Sequence, residues 1–362
     1  MTHPLHFIVP GRLDQLTGGY LYDARMISEL RRLKRPVTVH ELPGRFPVTD
    51  TTARQALEST LAALPNGATV VVDGLALGGM PGGVGDHHRR LRILALVHHP
   101  LADETGLDPA TRGLLRKRET RALQQVRGVV VTSPFTARRL ESMVPSLPPV
   151  RAVEPGTDPA EAVPARPETV GNLLCVATLC PRKAQHVLVE ALSGLSGLDW
   201  HCRMIGSQER EPGYADFLNE RIRELELEGR IELAGERGPE EIRKAWQQAG
   251  LAVLPSRYEG YGMVITEALA RGLPVVTTTG GALVDTLPAD AGLAVAPDDV
   301  QGLRDALARW LTEPDLREQL RQGAARARET LPGWSRAGRD FSRALDQLAG
   351  EPESSRLRNA GR

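Results

Sequence analysis

Short apolar segments alternate with longer amphipathic segments along almost the whole chain. Continuous apolar runs separated by helical segments are typical of parallel β-strands that helices cover on both faces of a sheet. The pattern therefore predicts an α/β protein with parallel sheets. Strands are predicted at Leu5–Val9, Val37–Leu42, Thr69–Val72, Ile93–Val97, Gly128–Thr132, Val150–Val153, Leu173–Ala177, Trp200–Ile205, Ile231–Leu233, Leu251–Leu254, Pro274–Thr277 and Leu293–Ala296.

The segments between these strands carry apolar residues at helical spacing, and so does the stretch from Leu316 to Leu348. Helices are predicted at Tyr22–Leu33, Thr52–Leu64, Thr111–Val126, Phe135–Met143, Gln185–Leu192, Ala215–Leu227, Pro239–Gln248, Met263–Ala270 and Gly302–Thr312.

The chain has 362 residues, whereas single hydrophobic cores rarely exceed about 250–300 residues. The strand–helix alternation stops between Glu154 and Thr169, where proline and acidic residues are frequent, and then resumes. We therefore expect an N-terminal domain at residues 1–160 and a C-terminal domain at residues 161–330. A C-terminal helix is expected at 331–350 and a disordered tail at 351–362.

Lys and Arg together number 45, and Asp and Glu also number 45, so the formal net charge is zero. Bulk charge therefore does not favour polyanion binding, and no nucleic-acid partner is expected. The three cysteines, Cys175, Cys180 and Cys202, lack metal-ligand or disulfide spacing, which fits a reducing compartment. Neither a signal-peptide pattern nor an apolar run of about 18 residues is present. These features predict a cytoplasmic protein.

Ligands of open parallel sheets bind beyond the carboxyl ends of the strands, so the turns after strands are candidate sites. After the first strand, Gly18-Gly19 would let the backbone approach a ligand, or would form a flexible loop without one. After the fourth strand comes His98-His99-Pro100. An imidazole there can exchange a proton with a substrate, or can make a structural hydrogen bond only.

Another turn, after Leu173–Ala177, contains Pro181-Arg182-Lys183. Two cations at the start of a helix oppose the helix macrodipole. Bound phosphate would resolve this conflict, because arginine and lysine both bind oxyanions. A solvated charge pair is the alternative.

The most informative turn follows Leu251–Leu254 and contains Glu259-Gly260-Tyr261-Gly262. The helix predicted to begin at Met263 would offer free amides to a diphosphate. Glu267 lies one helical turn further on the same face. Each carboxylate could accept hydrogen bonds from a sugar diol, since it has two acceptor oxygens. For Glu267 the alternative is a solvated helical residue.

This turn resembles that of the retaining glycosyltransferases of family 4, which have the GT-B fold. The family carries a Glu-x7-Glu motif, here Glu259 through Glu267, within Pro-Ser-x-x-Glu-Gly-x-Gly and before Glu-Ala-x-Ala-x-Gly-x-Pro-Val. The resemblance runs from about Leu173 to Leu311 and is looser in the N-terminal half. It implies two Rossmann-like domains whose parallel sheets face a central cleft. It also implies that the last helix, Trp334–Leu348, crosses back to the N-terminal domain.

The resemblance implies a role for each matching residue. Glu259 and His98 would bind the transferred sugar, and Glu267 would bind the ribose hydroxyls. Lys183 would bind the diphosphate. The implied catalytic residues are His98, Lys183 and Glu259, and the implied donor-binding residues are Gly18, Gly19, Arg182, Lys183, Glu259, Gly260, Tyr261, Gly262, Met263, Val264 and Glu267.

One position departs from the family pattern, which usually has arginine five residues before the lysine. This chain has Thr178 there. Arg182 would supply the missing charge from the neighbouring position, or else would point to solvent.

The implied activity is that of a hexosyltransferase (EC 2.4) that uses a nucleotide-diphosphate sugar, with UDP expected, and a small-molecule or glycan acceptor. The resemblance implies front-face attack with retention, in which Lys183 and the helix start at Met263 stabilise the leaving diphosphate. No metal or other cofactor is expected, and the chain has no Asp-x-Asp motif. The alternatives are a GT-B epimerase or phosphorylase and a non-catalytic nucleotide-sugar-binding protein.

Contact with a membrane surface is a further option, because the segment Arg31–Arg35 is basic. The same cations would equally stabilise the C-terminus of the first helix.

Overall fold

A computed structural model of the chain describes residues 5–350. Within this range, residues 5–155 and 334–350 form one structural unit, and residues 156–333 form a second. The predicted tail at 351–362 and the first four residues lie outside the described residues. Each unit contains one six-stranded parallel sheet with helices, so the predicted α/β class is confirmed.

The N-terminal unit has six strands, and all but the two at the edges of the sheet are apolar and buried along most of their length, as in a sheet covered on both faces. They are β1 (Leu5–Pro10), β2 (Val37–Leu42), β3 (Thr69–Asp73), β4 (Arg92–Val97), β5 (Gly128–Val131) and β6 (Val150–Ala152). Their spatial order is β2-β1-β3-β4-β5-β6, with every neighbouring pair parallel. Because the order reverses between β1 and β3, the ligand crevice expected for such sheets lies beyond the ends of these two strands.

The helices of this unit are α1 (Gly18–Arg32), α2 (Thr51–Ala63), α3 (Gly74–Gly78), α4 (Pro81–His87), α5 (Pro109–Leu123), α6 (Pro134–Met143) and α14 (Trp334–Ala349), with a 3₁₀ turn at Leu101–Asp103. Two differences from the sequence analysis stand out. Helix α1 begins at Gly18, so the predicted glycine loop is in fact the first turn of the helix. The short helices α3 and α4 were not predicted, because they are too short to show a helical period. Asp73 caps α3 by accepting a hydrogen bond from the Leu75 amide.

Helix α14 is part of the N-terminal unit although it follows the C-terminal unit in sequence. Its Phe341 ring is fully buried, 6.4 Å from the Phe7 ring and 6.3 Å from the Tyr22 ring. At the end of α1, Arg35 forms an ion pair with Asp346 of α14 at 2.8 Å. The basic end of α1 therefore has a structural role within this unit.

The C-terminal unit has the strands β7 (Asn172–Val176), β8 (His201–Ile205), β9 (Ile231–Gly235), β10 (Leu251–Leu254), β11 (Val275–Thr278) and β12 (Gly292–Val295). Their order is β12-β11-β10-β7-β8-β9, again all parallel. This is the strand order of a Rossmann fold, and it reverses between β7 and β10. All twelve predicted strands are thus present, with ends that differ by at most two residues.

The helices of the C-terminal unit are α7 (Gln185–Ser193), α8 (Pro212–Glu224), α9 (Pro239–Gln248), α10 (Met263–Leu269), α11 (Leu283–Thr286), α12 (Val300–Thr312) and α13 (Pro314–Thr330), with 3₁₀ turns at Pro167–Thr169 and Pro181–Lys183. Three fully buried tryptophans, Trp200, Trp246 and Trp310, lie in its core. The segment predicted as a linker is irregular up to the first of these 3₁₀ turns.

All three cysteines are free. Among residues 5–350, no helix has the length and apolar character needed to cross a bilayer.

The packing of α14 leads to a stability prediction. We expect Phe341→Ala to destabilise the N-terminal unit by about 3–5 kcal/mol, because it removes a fully buried aromatic ring. Urea unfolding followed by circular dichroism measures the change. Arg336→Ala, on the exposed face of the same helix, is the matched control and should change little. Equal unfolding midpoints for the two variants would contradict this role of α14.

Candidate active site

Two loops of the C-terminal unit meet where its strand order reverses. The loop after β7 contains the 3₁₀ turn Pro181–Lys183, and the loop after β10 contains Ser256–Gly262. The Arg257 amide donates to the Arg182 carbonyl at 2.8 Å, and Arg182 Nη1 donates to the Tyr258 carbonyl at 3.0 Å. These bonds fix Arg182 and its neighbour Lys183 against the loop after β10.

Glu259 lies at the centre of this arrangement. Its carboxylate accepts hydrogen bonds from Lys183 Nζ at 2.5 Å, from Arg182 Nη1 at 3.2 Å and from Ser256 Oγ at 2.6 Å. The Glu259 carbonyl also accepts a hydrogen bond from the Ala282 amide at 2.9 Å. Side chain and backbone are therefore both held in place, and the residue is almost completely buried.

The charge state of Glu259 follows from these contacts. Burial by itself would raise the pKa of the carboxyl group, but the nearby Lys183 and Arg182 outweigh it and lower the pKa to about 2. The carboxylate is therefore ionised at neutral pH. Two cations and one carboxylate leave the cluster with one excess positive charge, which suits an anionic ligand.

The sequence analysis placed Arg182 and Lys183 at the start of a helix, and the structure corrects this. They lie in a separate 3₁₀ turn, and α7 begins at Gln185 after Ala184, whose φ is +51°. The two cations therefore do not oppose the helix macrodipole. Of the two options for Arg182, the structure shows the side chain directed at Glu259 and not at solvent.

Helix α10 begins directly after the same loop. Gly262 precedes it with φ +94°, a left-handed conformation that favours glycine. No side chain caps the helix, so the first amides, at Met263 and Val264, have no side-chain partner. Gly260 and Tyr261 connect Glu259 to this helix start.

Glu267 lies within α10 and is half-buried. Burial raises the pKa of its carboxyl group to about 7, with Asp158 adding to the effect and Arg271 opposing it. The two acids of the motif therefore differ in charge state near neutral pH, because Glu259 faces two cations and Glu267 does not.

The candidate residues of the N-terminal unit also come together. A Cβ atom added at Gly19 would lie 3.2 Å from His98 Cδ2, so glycine leaves room for the ring next to α1. His98 Nε2 lies 3.1 Å from Asp23 Oδ1 and 3.3 Å from Asp73 Oδ2. His99 points elsewhere, with Nε2 3.4 Å from Glu104. Gly18 is the first residue of α1, and a Cβ atom added there would have no neighbour within 4 Å, so the structure does not bring it into this group.

Three of these partners were missed from sequence: Asp23, Asp73 and Ser256. Asp73 directly follows a predicted strand, and Ser256 lies inside the quoted motif, so position could have indicated both. Asp23 lies within α1 and carries no comparable signal.

Within residues 5–350, Asp23, Asp73 and His98 are one group whose ligand atoms are close enough to share a metal ion. The same ring nitrogen, Nε2, faces both carboxylates. A protonated Nε2 in this position would donate to the two carboxylates and form a hydrogen-bonded triad.

The C-terminal unit matches a known sequence family. The sequence model of the family "Glycosyl transferases group 1" matches residues 158–327. The chain is 27% identical over 249 residues to a GDP-mannose-dependent monoacylated alpha-(1-6)-phosphatidylinositol monomannoside mannosyltransferase of Corynebacterium glutamicum, covering 63% of this chain and 62% of that protein. It is also 27% identical over 355 residues to a D-inositol 3-phosphate glycosyltransferase of a Nocardioides species, covering 85% of this chain and 75% of that protein.

Solved structures show the same fold. Sucrose-phosphate synthase from Thermosynechococcus elongatus superposes with a TM-score of 0.80 at 19% identity, covering 96% of this chain and 99% of that one. Anabaena HepE in complex with UDP-glucose superposes with a TM-score of 0.72 at 15% identity, covering 96% of this chain and 100% of that one. Residues 158–327 thus match the group 1 glycosyltransferases, and the chain shares the GT-B fold of these structures, with a motif that fits family 4.

The contacts of Glu259 give a pH-dependent stability prediction. Because the pKa of this group falls from 4.5 to about 2 on folding, its ionised form contributes about 3 kcal/mol of stability. This contribution is complete above about pH 4.5 and is lost as the pH falls towards 2. We expect Glu259→Gln to be less stable than wild type at pH 7, with a difference that shrinks below pH 4.5. Urea unfolding at several pH values measures it.

Glu267→Gln is the matched control for that experiment. Because burial raises the pKa of Glu267, its ionised form costs stability, and the cost grows from about pH 4.5 to 7. This variant should be at least as stable as wild type at pH 8. An equal loss of stability in both variants at every pH would contradict the assignment of opposite charge environments to Glu259 and Glu267.

Proposed function

We propose that this protein transfers a sugar from a nucleotide-diphosphate sugar to a hydroxyl group of an acceptor, with retention of configuration. The observation that carries the proposal is the cluster of Arg182, Lys183 and Glu259 at the reversal point of the C-terminal sheet. This is where open parallel sheets bind nucleotides.

Each group of the cluster suits one part of such a donor. Lys183 and Arg182 supply a point charge and a planar fork for phosphate oxygens. The ionised Glu259 accepts hydrogen bonds from sugar hydroxyls. A diphosphate brings the negative charge that the cluster lacks, so donor binding shifts the two cations from the carboxylate towards the phosphates.

The start of α10 and Glu267 complete the proposed donor site. The amides of Met263 and Val264 would donate to the diphosphate, and Glu267 would accept from the ribose hydroxyls. At pH 7 the Glu267 carboxyl group is partly protonated, and ribose diols would favour its ionised form by donating to it.

The proposed reaction is a front-face substitution. The bond between the anomeric carbon and the diphosphate oxygen breaks, and the acceptor oxygen bonds to the same face of that carbon. The acceptor proton passes to the departing diphosphate. Lys183 and Arg182 stabilise the charge that develops on the diphosphate, and this step involves no metal.

The donor base and the acceptor differ among the relatives. One is named for GDP-mannose and a phosphatidylinositol mannoside, another for inositol 3-phosphate, and HepE was solved with UDP-glucose. A thermal-shift panel of UDP-, GDP- and ADP-sugars would identify the donor, since a ligand of the folded state raises the unfolding temperature. Product analysis with and without candidate acceptors would then separate transfer from epimerisation, phosphorolysis and binding alone.

Lys183 is expected to be essential for turnover. Lys183→Ala should lower kcat by about 10²–10³-fold, as does the loss of one charge-stabilising group in other enzymes. The measurement is product formation with the donor from the panel. Lys244→Ala, at an exposed lysine of the same unit, should retain full activity. Near-wild-type turnover of Lys183→Ala with an intact fold would reject the assignment.

Metal independence has its own test. Because the two cations are proposed to carry the charge of the leaving group, EDTA should leave the rate of the same assay unchanged. Strict dependence on an added divalent ion would contradict the proposed step.

A further inference from the structure

We propose that Asp23 and Asp73 are positioning residues that keep His98 doubly protonated, so that His98 Nδ1 donates a hydrogen bond to a hydroxyl oxygen of the bound ligand. This inference deepens the proposed function and rests on it for the identity of the ligand. The protonation state of the His98 ring follows from contacts within this chain and does not depend on which ligand binds.

The geometry centres on one ring nitrogen. His98 Nε2 is within 3.1 Å of Asp23 Oδ1 and 3.3 Å of Asp73 Oδ2. Both acid side chains are almost fully buried, whereas the His98 side chain keeps 18% of its surface exposed. Within residues 5–350, His98 Nδ1 has no hydrogen-bond partner, so it is the part of the ring left for a ligand.

Two carboxylates beside one ring nitrogen favour a different protonation state of the imidazole from the state that one carboxylate favours. A single carboxylate fixes the neutral tautomer that carries its proton on Nε2, and Nδ1 is then an acceptor. A second buried carboxylate adds another negative charge, which favours the imidazolium. In the imidazolium Nδ1 is also a donor.

The other groups around the ring do not offset this charge. The Tyr22 ring packs edge-on at 5.5 Å, and its hydroxyl donates to the Val153 carbonyl. Thr132 donates to the His98 carbonyl. In the described part of the chain, no lysine or arginine pairs with Asp23 or Asp73. Burial tends to lower the pKa of His98, but the two acids raise it to about 10.

The position of the ring suits ligand contact. Asp73 ends β3, and Asp23 belongs to the helix that follows β1, the two strands between which the sheet order reverses. Burial raises the pKa of Asp23 to about 7, so above that pH the triad carries one excess negative charge when His98 is protonated. A neutral hydroxyl is therefore a better partner for Nδ1 than a phosphate oxygen.

The test is nitrogen NMR of histidine-labelled protein, in which the ring nitrogens report protonation and tautomer directly. The His98 signals among the nine histidines are assigned by their loss in His98→Gln. In wild type, both nitrogens should remain protonated at pH 8. In Asp23→Asn or Asp73→Asn, the titration midpoint should fall by at least one pH unit, leaving the neutral ring with its proton on Nε2. The asparagine that Asp73→Asn introduces can still cap α3, since asparagine is as good an N-cap residue as aspartate.

Glu104→Gln is the matched control, since it alters a carboxylate beside His99. It should leave the His98 signals unchanged. A wild-type ring that titrates near pH 6.5, or aspartate variants that titrate like wild type, would overturn the inference. Circular dichroism would reveal a variant that fails to fold. In that case the wild-type titration alone still tests whether both ring nitrogens of His98 are protonated at pH 8.

The NMR titration requires no turnover. It therefore supports or overturns the protonation of His98 even if the proposed transfer activity is not found. Where transfer is observed, the aspartate variants should raise KM for the ligand and shift the alkaline limb of the pH profile to lower pH. A merely structural role would lower the amount of folded enzyme without moving this limb. An unmoved limb would count against the positioning role.

Discussion

The pairing of Glu259 with Lys183 and Arg182 is the contact on which the candidate site depends. A carboxylate buried without partners would take up a proton, and two cations without a carboxylate would repel each other. Together they hold the loops after β7 and β10 in one arrangement. The same contact leaves a net positive charge at the reversal point of the sheet. Loop structure and anion affinity therefore have one physical origin.

The two acids of the Glu-x7-Glu motif show that one residue type serves two purposes through its surroundings. Glu259 is ionised because two cations face it, whereas burial brings the pKa of Glu267 close to neutral. Opposite environments for paired carboxyl groups commonly mark different roles in an active site. In the proposed function, Glu259 is the permanent acceptor near the sugar, and Glu267 is the group whose charge responds to ribose.

The sequence predicted the twelve strands because buried parallel strands are continuous apolar runs bounded by turns. It also predicted the turns that carry Lys183, Glu259 and His98, since those turns follow strands. It did not predict that α1 begins at Gly18, nor that Arg182 lies in a separate 3₁₀ turn. These features depend on contacts between distant segments, such as Gly19 with His98 and Arg182 with Tyr258. No local pattern encodes them, and the partnership of Asp23 with His98 is of the same kind.

Above about pH 7, where Asp23 is ionised, the two ionisable clusters have opposite net charge, and this difference restricts what each can bind. The cluster around Glu259 carries one excess positive charge, so it favours phosphate groups. Above the Asp23 pKa of about 7, the triad around His98 carries one excess negative charge when the ring is protonated, so a phosphate there would face two buried carboxylates. A hydroxyl would not meet this repulsion and could still accept from Nδ1. Charge alone thus favours the diphosphate for the C-terminal cluster and an uncharged, hydroxyl-bearing group for the N-terminal triad.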